Sequence, residues 1–132
     1  VEAGVLKGYF LSTYSARKLG MRTTGNAGGS HNLIVRPGKR DLVGLAALMG
    51  RGLLVTEVLG QGVNYVTGDY SRGASGYWVE NGEIRHPVQE ITIAGNLKDM
   101  LRDIVAVGSD VLVRGSKQVG SILLERMTIA GA

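Results

Sequence analysis

The sequence has no cysteine, only two prolines, and a 5% share of aromatic residues that includes one tryptophan and one phenylalanine. Without cysteine the chain can form neither a disulfide nor a thiolate metal site, and a reducing compartment is favoured. It also lacks any apolar run near the roughly 20 residues that a membrane-spanning helix needs. These absences argue against a disulfide-stabilised domain, thiol chemistry and a helical membrane protein.

Glycine, by contrast, is abundant: it supplies 21 of the 132 residues. Hydrophobic residues at 44% and charged residues at 20% are values typical of a globular protein. The first residue is Val1, with no initiator methionine and no signal segment. We therefore expect residues 1–132 to form a single domain that turns often and belongs to a longer chain.

Three residues that commonly cap helices precede helical patterns. Ser12 comes before a short stretch that Gly20 ends, Asp41 before the apolar sequence LVGLAALM, and Asn96 before a pattern with one apolar and one charged face. The predicted helices are a short one over residues 13–19 and two main ones over residues 42–49 and 97–107.

Extended segments rich in β-forming residues fill most of the remaining chain. The pair Asn81-Gly82 predicts a tight hairpin turn, because both residues can adopt a positive φ. Gly73 and Gly76 indicate a bulge or the close approach of another strand, and Pro87 restricts its strand to an edge or an end. Strands are expected over residues 5–11, 33–36, 53–59 (buried), 69–80, 83–88, 91–96, 111–114 and 121–129. The predicted fold is α+β, a β-rich antiparallel sheet domain with the two main helices packed on it.

The net charge of +4 raises the question of nucleic-acid binding. Basic residues cluster only at Arg17 and Lys18 and at Arg36, Lys39 and Arg40, and acidic residues interrupt the rest. A solvated surface is the favoured interpretation, so nucleic acid is an unlikely partner.

Conventional catalytic and metal motifs are missing from the sequence. His31 and His86 are the only histidines and stand far apart, and no HExxH zinc motif is present. A two-histidine site completed by carboxylates is a weak alternative. Ser75 lies in a glycine-rich stretch that lacks the GxSxG spacing, so a serine hydrolase is also a weak alternative.

Two glycine-rich segments are candidates for binding. Residues 68–76 (GDYSRGASG) could offer main-chain groups to an extended peptide, with the guanidinium of Arg72 meeting a carboxylate or carbonyl; a buried strand with a bulge is an equally weighted alternative. Residues 25–30 (GNAGGS) could form an anion nest, although a structural turn is favoured. The candidate peptide or partner contacts are Tyr70, Ser71, Arg72, Gly73 and Ser75 in the first segment and Asn26, Gly28 and Gly29 in the second.

Longer runs of sequence carry a family resemblance. They are YSARKLGMRTTGNAGG (14–29), VTEVLGQG (55–62), TGDYSRGASGYWVENG (67–82), ITIAGNLKDM (91–100) and the closing MTIAG (127–131). Together these runs resemble the C-terminal part of the PmbA (TldE) branch of the TldD/PmbA metalloprotease family, over nearly the whole chain.

The resemblance implies a cytoplasmic bacterial protein in a two-subunit metalloprotease that cleaves flexible peptides such as a microcin precursor or an antitoxin. In that family zinc is held by an HExxxH helix of the TldD-type subunit, whose C-terminal domain also contributes a cysteine that this chain lacks. We therefore expect no cofactor and no catalytic or metal-binding residue here, and a domain that shapes the peptide chamber and the subunit interface. The implied partner is a TldD-type subunit or a second copy. The older family label, modulator of DNA gyrase, keeps a DNA- or gyrase-associated regulatory domain as the alternative.

Overall fold

The computed structural model describes residue 2 and residues 5–27 and 29–131. Within them the chain forms three helices and nine strands, and strand at 43% against helix at 16% confirms the α+β prediction. The helices are α1 (Thr13–Lys18), α2 (Leu42–Met49) and α3 (Leu97–Arg102). The strands are β1 (Leu33–Ile34), β2 (Gly52–Leu59), β3 (Asp69–Glu80), β4 (Glu83–Asn96), β5 (Ile104–Val107), β6 (Leu112–Arg114), β7 (Lys117–Val119), β8 (Ile122–Leu124) and β9 (Thr128–Ala130).

The chain divides into two compact units. The first unit contains the residues up to Ile34 together with Val113–Gln118, and the second contains Val35–Leu112 together with the residues from Val119 onward. In the first unit β1, β7 and β6 form a three-stranded sheet, with β1 and β7 parallel. In the second unit β2, β3, β4 and β9 form an antiparallel sheet in that order, and β5 pairs with β8.

The helix predicted after Ser12 is confirmed. The Ser12 hydroxyl accepts the Ser15 N–H at 3.2 Å, and Gly20 follows the helix with φ +64°. The strand predicted over residues 5–11 is wrong, because that segment has only one isolated bridge, between Val5 and Glu2. Leu11 is instead held by Thr24: its N–H donates to Thr24 Oγ1 at 2.8 Å, and its carbonyl accepts the Thr24 N–H at 3.1 Å.

The hairpin predicted at Asn81-Gly82 joins the two longest strands of the second unit. The φ angles of these residues are +55° and +76°, as a type I′ turn requires. The core of this sheet contains Ala74, Ile91 and Ile93, all 5% exposed or less.

Close backbone packing explains Gly76. The ladders are irregular on both sides of it, where Thr56 of β2 and the Gln89–Glu90 part of β4 each supply an extra residue. Gly76 packs directly against the main-chain carbonyl of Leu54. A β-carbon on residue 76 would overlap the oxygen of that carbonyl. Pro87 lies where β4 pairs with β3, outside the β9 register at residues 92–94.

Three sequence predictions for the second unit differ from the structure. The helix predicted over residues 97–107 ends at Arg102, because the β-branched residues that follow pair as β5 with β8. The strand predicted over residues 121–129 is two strands. At the break the main-chain carbonyl of Asp103 accepts the Glu125 N–H at 2.8 Å, and the Asp103 carboxylate accepts the Arg126 Nε–H at 3.3 Å. The strand predicted to be buried, residues 53–59, is exposed from Val55 onward.

Among the residues described, the helices are all too short or too polar to cross a membrane.

Candidate functional site

An open, mainly apolar cavity of about 590 Å³ lies in the second unit. Its walls come from α2, β2, the central strands and the segment from β8 to β9, and they include Leu45, Met49, Leu53, Tyr70, Ile93 and Met127. These segments are distant in sequence, which is why local patterns could not predict the cavity. Covering such exposed apolar surface with another apolar group lowers the free energy, because both surfaces are removed from water.

Charged groups at the cavity are held by neighbouring residues. The Arg51 guanidinium lies 5.5 Å from the centre of the Trp78 ring, a cation–π distance. Arg126 is tied to Asp103 by the 3.3 Å contact already described. The lining is therefore apolar with three charged residues, Arg51, Glu125 and Arg126, none of which was a candidate from the sequence.

One wall of the cavity is also the edge of the four-stranded sheet. β2 is the outermost strand and pairs with β3 on one side. Leu53, Leu54, Val55 and Val58 of this strand line the cavity. In the described part of the chain no strand is paired to the outer side of β2. An edge of this kind presents main-chain donors and acceptors for an added strand.

The main chain of residues 68–76 is already occupied. β3 pairs with β2 on one side and β4 on the other, and before the β2 ladder begins the Ser71 N–H donates to the Gly62 carbonyl at 2.7 Å. Of the two interpretations that we weighed evenly for this segment, the pairing therefore favours a strand with a structural bulge over strand addition. The terminal strands of this sheet are β2 and β9, and β2 is the one that supplies several residues of the cavity wall.

The candidate side chains of β3 are in different surroundings. Tyr70 packs on the core and lines the cavity, and Ser71 is exposed. Arg72 donates from its guanidinium to the carbonyls of Leu59 and Val58, each at 3.4 Å, and so braces the end of β2. Gly73 and Ser75 are half-buried. Their role in contacting peptide or partner stays a prediction.

The second candidate group lies in the first unit. Asn26 Nδ2 donates to the Gly29 carbonyl at 3.2 Å, and the Gly29 N–H donates to the Asn26 carbonyl at 3.4 Å. Gly28 lies outside the described residues. Since the Gly29 N–H is directed to Asn26, the geometry favours a structural turn over an anion nest.

The donor set does not fit a zinc ion. His31 is exposed in a loop of the first unit, and His86 is exposed on β4 of the second. Among the residues that the structure describes, no group of three or more histidines, aspartates and glutamates is placed to hold a metal ion. No chemical step through zinc is assigned to this chain.

Asp110 fixes one end of the cavity wall. Its carboxylate accepts the Ser121 hydroxyl at 2.6 Å and the Ser121 N–H at 3.2 Å. The hydroxyl hydrogen bond, more than the N–H bond, lowers the pKa of Asp110 below its ordinary value, and a smaller desolvation effect opposes it. Ser121 is part of the cavity lining, so this pair anchors the start of β8.

Comparison with known proteins agrees with the fold. Residues 1–131 match the model of the PmbA/TldA metallopeptidase C-terminal domain. A metalloprotease PmbA homolog of Haemophilus influenzae is 59% identical over 132 residues, and metalloprotease PmbA of Escherichia coli O157:H7 is 56% identical over 131. Each alignment covers 99% of this chain and 29% of the relative.

A solved structure is also similar. A Thermotoga maritima protein, described as a candidate modulator of a DNA gyrase, matches with a TM-score of 0.90 and 45% identity, over 98% of this chain and 32% of that one. This chain thus spans less than a third of the length of these relatives. The long matching runs, the domain model and the shared fold agree, and the chain belongs to the PmbA/TldD metallopeptidase family as a C-terminal domain of the PmbA type.

Proposed function

We propose that this domain is the non-catalytic, peptide-holding part of a PmbA-type subunit in a cytoplasmic two-subunit zinc metalloprotease. Its substrates are unfolded or flexible peptides, of the microcin-precursor and antitoxin kind that the family resemblance implies. The observation that carries the proposal is the open edge of β2 beside the apolar cavity.

An unfolded peptide exposes two things that a folded protein hides, its main-chain hydrogen-bonding groups and its apolar side chains. The β2 edge suits the first, because a peptide laid along it continues the ladder of the sheet. The cavity suits the second, since Leu53, Val55 and Val58 belong both to this strand and to the cavity lining. Main-chain recognition tolerates many sequences, as an enzyme acting on varied peptides requires.

The length of β2 suits a short extended segment of peptide. β2 has eight residues, and side chains on one face of a strand recur about every 6.6 Å, two residues of about 3.3 Å each. A peptide of similar length would place alternate side chains over the cavity and the others away from it. The bulge at Thr56 would divide the edge into two short stretches.

In this proposal the bond-breaking chemistry belongs to the TldD-type subunit, which would carry the zinc. The donor set described above supports this division, because in the part of the chain that the structure describes no three histidine, aspartate or glutamate side chains are grouped as a zinc site requires. The domain's part is to bind and orient the peptide.

The two-subunit proposal is tested by peptide cleavage with the full-length protein, alone and mixed with its TldD-type partner, each with and without a chelator. We expect cleavage of a disordered peptide only in the mixture and its loss on chelation. Chelator-sensitive cleavage by the full-length protein alone would overturn the non-catalytic assignment.

Peptide holding is tested separately by fluorescence anisotropy with a labelled disordered peptide and the full-length protein. Val58→Asp places a charge in the cavity wall and should weaken binding about tenfold or more. Val43→Asp is the matched control, because Val43 is 74% exposed on α2 and does not line the cavity. Equal affinity of the two variants would remove the cavity from the proposal.

The β2 edge has its own readout. N-methylation of alternate peptide residues removes donors that an added strand would use, whereas N-methylation of the intervening residues removes donors that point away. We expect one set to lower affinity at least several-fold more than the other. Equal effects would exclude strand addition.

The alternative, a DNA- or gyrase-associated regulatory domain, is favoured by the description of the Thermotoga maritima relative and by the charge of +4. Duplex binding that decreases steeply between low and moderate salt would support it. The scattered basic residues lead us to expect no measurable binding at about 50 mM salt.

A further inference from the structure

The hairpin turn between β3 and β4 carries a chemically reactive pair of residues. Asn81 is the one asparagine of the sequence that glycine follows, whereas the other four precede alanine, leucine or tyrosine. Because glycine has no β-carbon, it leaves its own main-chain nitrogen unshielded. That nitrogen can then reach the side-chain amide carbon of the preceding asparagine. Within these 132 residues, Asn81 is therefore the favoured position for loss of a side-chain amide without an enzyme.

The reaction at such a pair is an intramolecular substitution. The Gly82 nitrogen loses its proton and forms a bond with Cγ of Asn81, and the bond from Cγ to the side-chain nitrogen breaks to release ammonia. The product is a five-membered cyclic imide. Water then opens the imide at one of its two carbonyls. One opening gives aspartate, and the other gives isoaspartate, in which the main chain runs through the former side chain and is one methylene longer.

The folded structure engages the attacking nitrogen in a hydrogen bond. The Gly82 N–H donates to the main-chain carbonyl of Gly50, the residue that ends α2, at 2.8 Å. The nitrogen must give up this proton before it attacks Asn81, so the hydrogen bond has to break first. The hairpin also fixes the two turn residues at φ +55° and +76°. Reaction in the folded domain therefore requires the turn to open locally.

The turn is also packed against the backbone of α2. A β-carbon on Gly82 would lie 2.9 Å from Ala47 Cα and 3.5 Å from the Ala47 nitrogen. On the strands that flank the turn, Glu80 pairs with Glu83. The turn backbone is thus held between a helix and a β-ladder, with little room to move on the side that faces the helix.

We propose that Asn81-Gly82 is a deamidation site that becomes reactive when the hairpin turn separates from α2. In the folded domain the hydrogen bond from Gly82 to Gly50 and the close contact with Ala47 keep the reaction slow. In an unfolded or newly made chain Asn81 reacts faster than the other asparagines of this sequence. The inference concerns the chemistry of this chain alone and does not depend on the proposed function.

Isoaspartate at position 81 would prevent the turn from forming again. The extra methylene lengthens the main chain inside a two-residue turn, whose backbone angles set the pairing of Glu80 with Glu83. The Gly82 N–H would also lose its place opposite the Gly50 carbonyl, at the end of a helix that forms part of the cavity wall. Deamidation to isoaspartate should therefore lower the stability of the second unit.

The test compares deamidation in the folded full-length protein with deamidation of the same protein unfolded in guanidinium chloride, both in mildly alkaline buffer. Peptide mass spectrometry measures the conversion of amide to acid, and an isoaspartyl methyltransferase labels isoaspartate. In the unfolded chain Asn81 should react at least about tenfold faster than Asn32 and Asn96, because leucine follows each of those. In the folded protein Asn81 should react at least about tenfold more slowly than in the unfolded chain, since local opening must come first.

Asn81→Gly is the control variant, because Gly-Gly also suits a type I′ turn and has no side-chain amide to lose. After long incubation in denaturant just below the unfolding transition, the wild type should have a lowered thermal unfolding temperature and the variant an unchanged one. Equal loss of stability in both would overturn the effect assigned to isoaspartate. Equal rates at Asn81 in the folded and unfolded protein would overturn protection by the turn. An unfolded-chain rate no higher than that of Asn32 and Asn96 would overturn the site itself.

Discussion

Asn96 Nδ2 lies 3.0 Å from the main-chain oxygen of Thr67, a residue 29 positions earlier in the chain. The same side chain accepts the Lys98 N–H through Oδ1 at 3.1 Å, and so caps α3. One amide group therefore joins the loop between β2 and β3 to the start of α3. The sequence indicated the capping role of Asn96 and gave no sign of the contact with Thr67, which depends on the pairing of β3 with β4.

Removing the side-chain amide of Asn96 should destabilise both α3 and the loop between β2 and β3. We expect Asn96→Ala to lower the free energy of unfolding by about 1–2 kcal/mol, because a helix cap and a hydrogen bond to a carbonyl are lost together. Urea denaturation measures the difference. Asn96→Ser keeps a capping acceptor and loses the amide donor to Thr67, and it sets no charge beside the Asp69 carboxylate, which Asn96 Nδ2 contacts at 3.4 Å. It should fall between alanine and the wild type, and a serine variant as unstable as the alanine variant would show that the cap contributes little.

The two glycines of β3 should respond differently to alanine. A β-carbon at Gly76 would overlap the Leu54 carbonyl, so Gly76→Ala should cost about 1–3 kcal/mol through a forced backbone shift. At Gly73 the nearest atom to an added β-carbon is Leu59 Cβ at 3.5 Å, an ordinary contact. Gly73→Ala should therefore change stability by less than about 1 kcal/mol. Thermal unfolding of the pair tests this, and equal losses would contradict the close approach at Gly76.

Arg72 is bonded within the sheet, so its removal should affect stability. We expect Arg72→Ala to cost about 1 kcal/mol, because two long, partly exposed hydrogen bonds to β2 carbonyls are lost. Chemical denaturation gives the change, and Arg72→Lys should recover only part of it, since an ammonium group cannot span two carbonyls as a guanidinium does. Unchanged stability together with weaker peptide cleavage would instead support Arg72 as a contact residue.

The bond between Asp110 and Ser121 should depend on pH. The folded-state pKa of Asp110 lies below its ordinary value of 3.8, so the folded state favours the carboxylate. The resulting stabilisation is complete above pH 3.8 and is lost as the pH falls through the lower folded-state pKa. We expect the stability difference between wild type and Ser121→Ala to be constant near neutral pH and to shrink in acid. A difference that grows as the pH falls would contradict this sign.

Much of the fold was predictable where the signal is local. Ser12, Asp41 and Asn96 each begin a helix, since a side chain that accepts a nearby N–H acts within one turn of backbone. The Asn81-Gly82 turn is local in the same way. The helix predicted beyond Arg102 failed because pairing with β8, whose residues lie 15 to 20 positions later, decides the conformation of Ile104 to Val107.

The candidate site was less predictable for a related reason. The sequence directed attention to the glycines around Arg72, and the strand they lie on proved to be central in its sheet. Which strand lies at the edge is a property of the sheet order, and the cavity requires α2, β2 and β8 to be assembled. Neither property has a signature in a short window of residues.

The tight turn at Asn81 and Gly82 also has a consequence for how the second unit folds. Because β3 and β4 are neighbours along the chain, pairing them closes a very short loop and costs little chain entropy, whereas β4 and β9 must meet across more than thirty residues. The hairpin should therefore form early and serve as the template on which the rest of its sheet assembles. Amide hydrogen exchange during refolding would then protect β3 before β9, and substitutions in the turn would slow folding more than they speed unfolding.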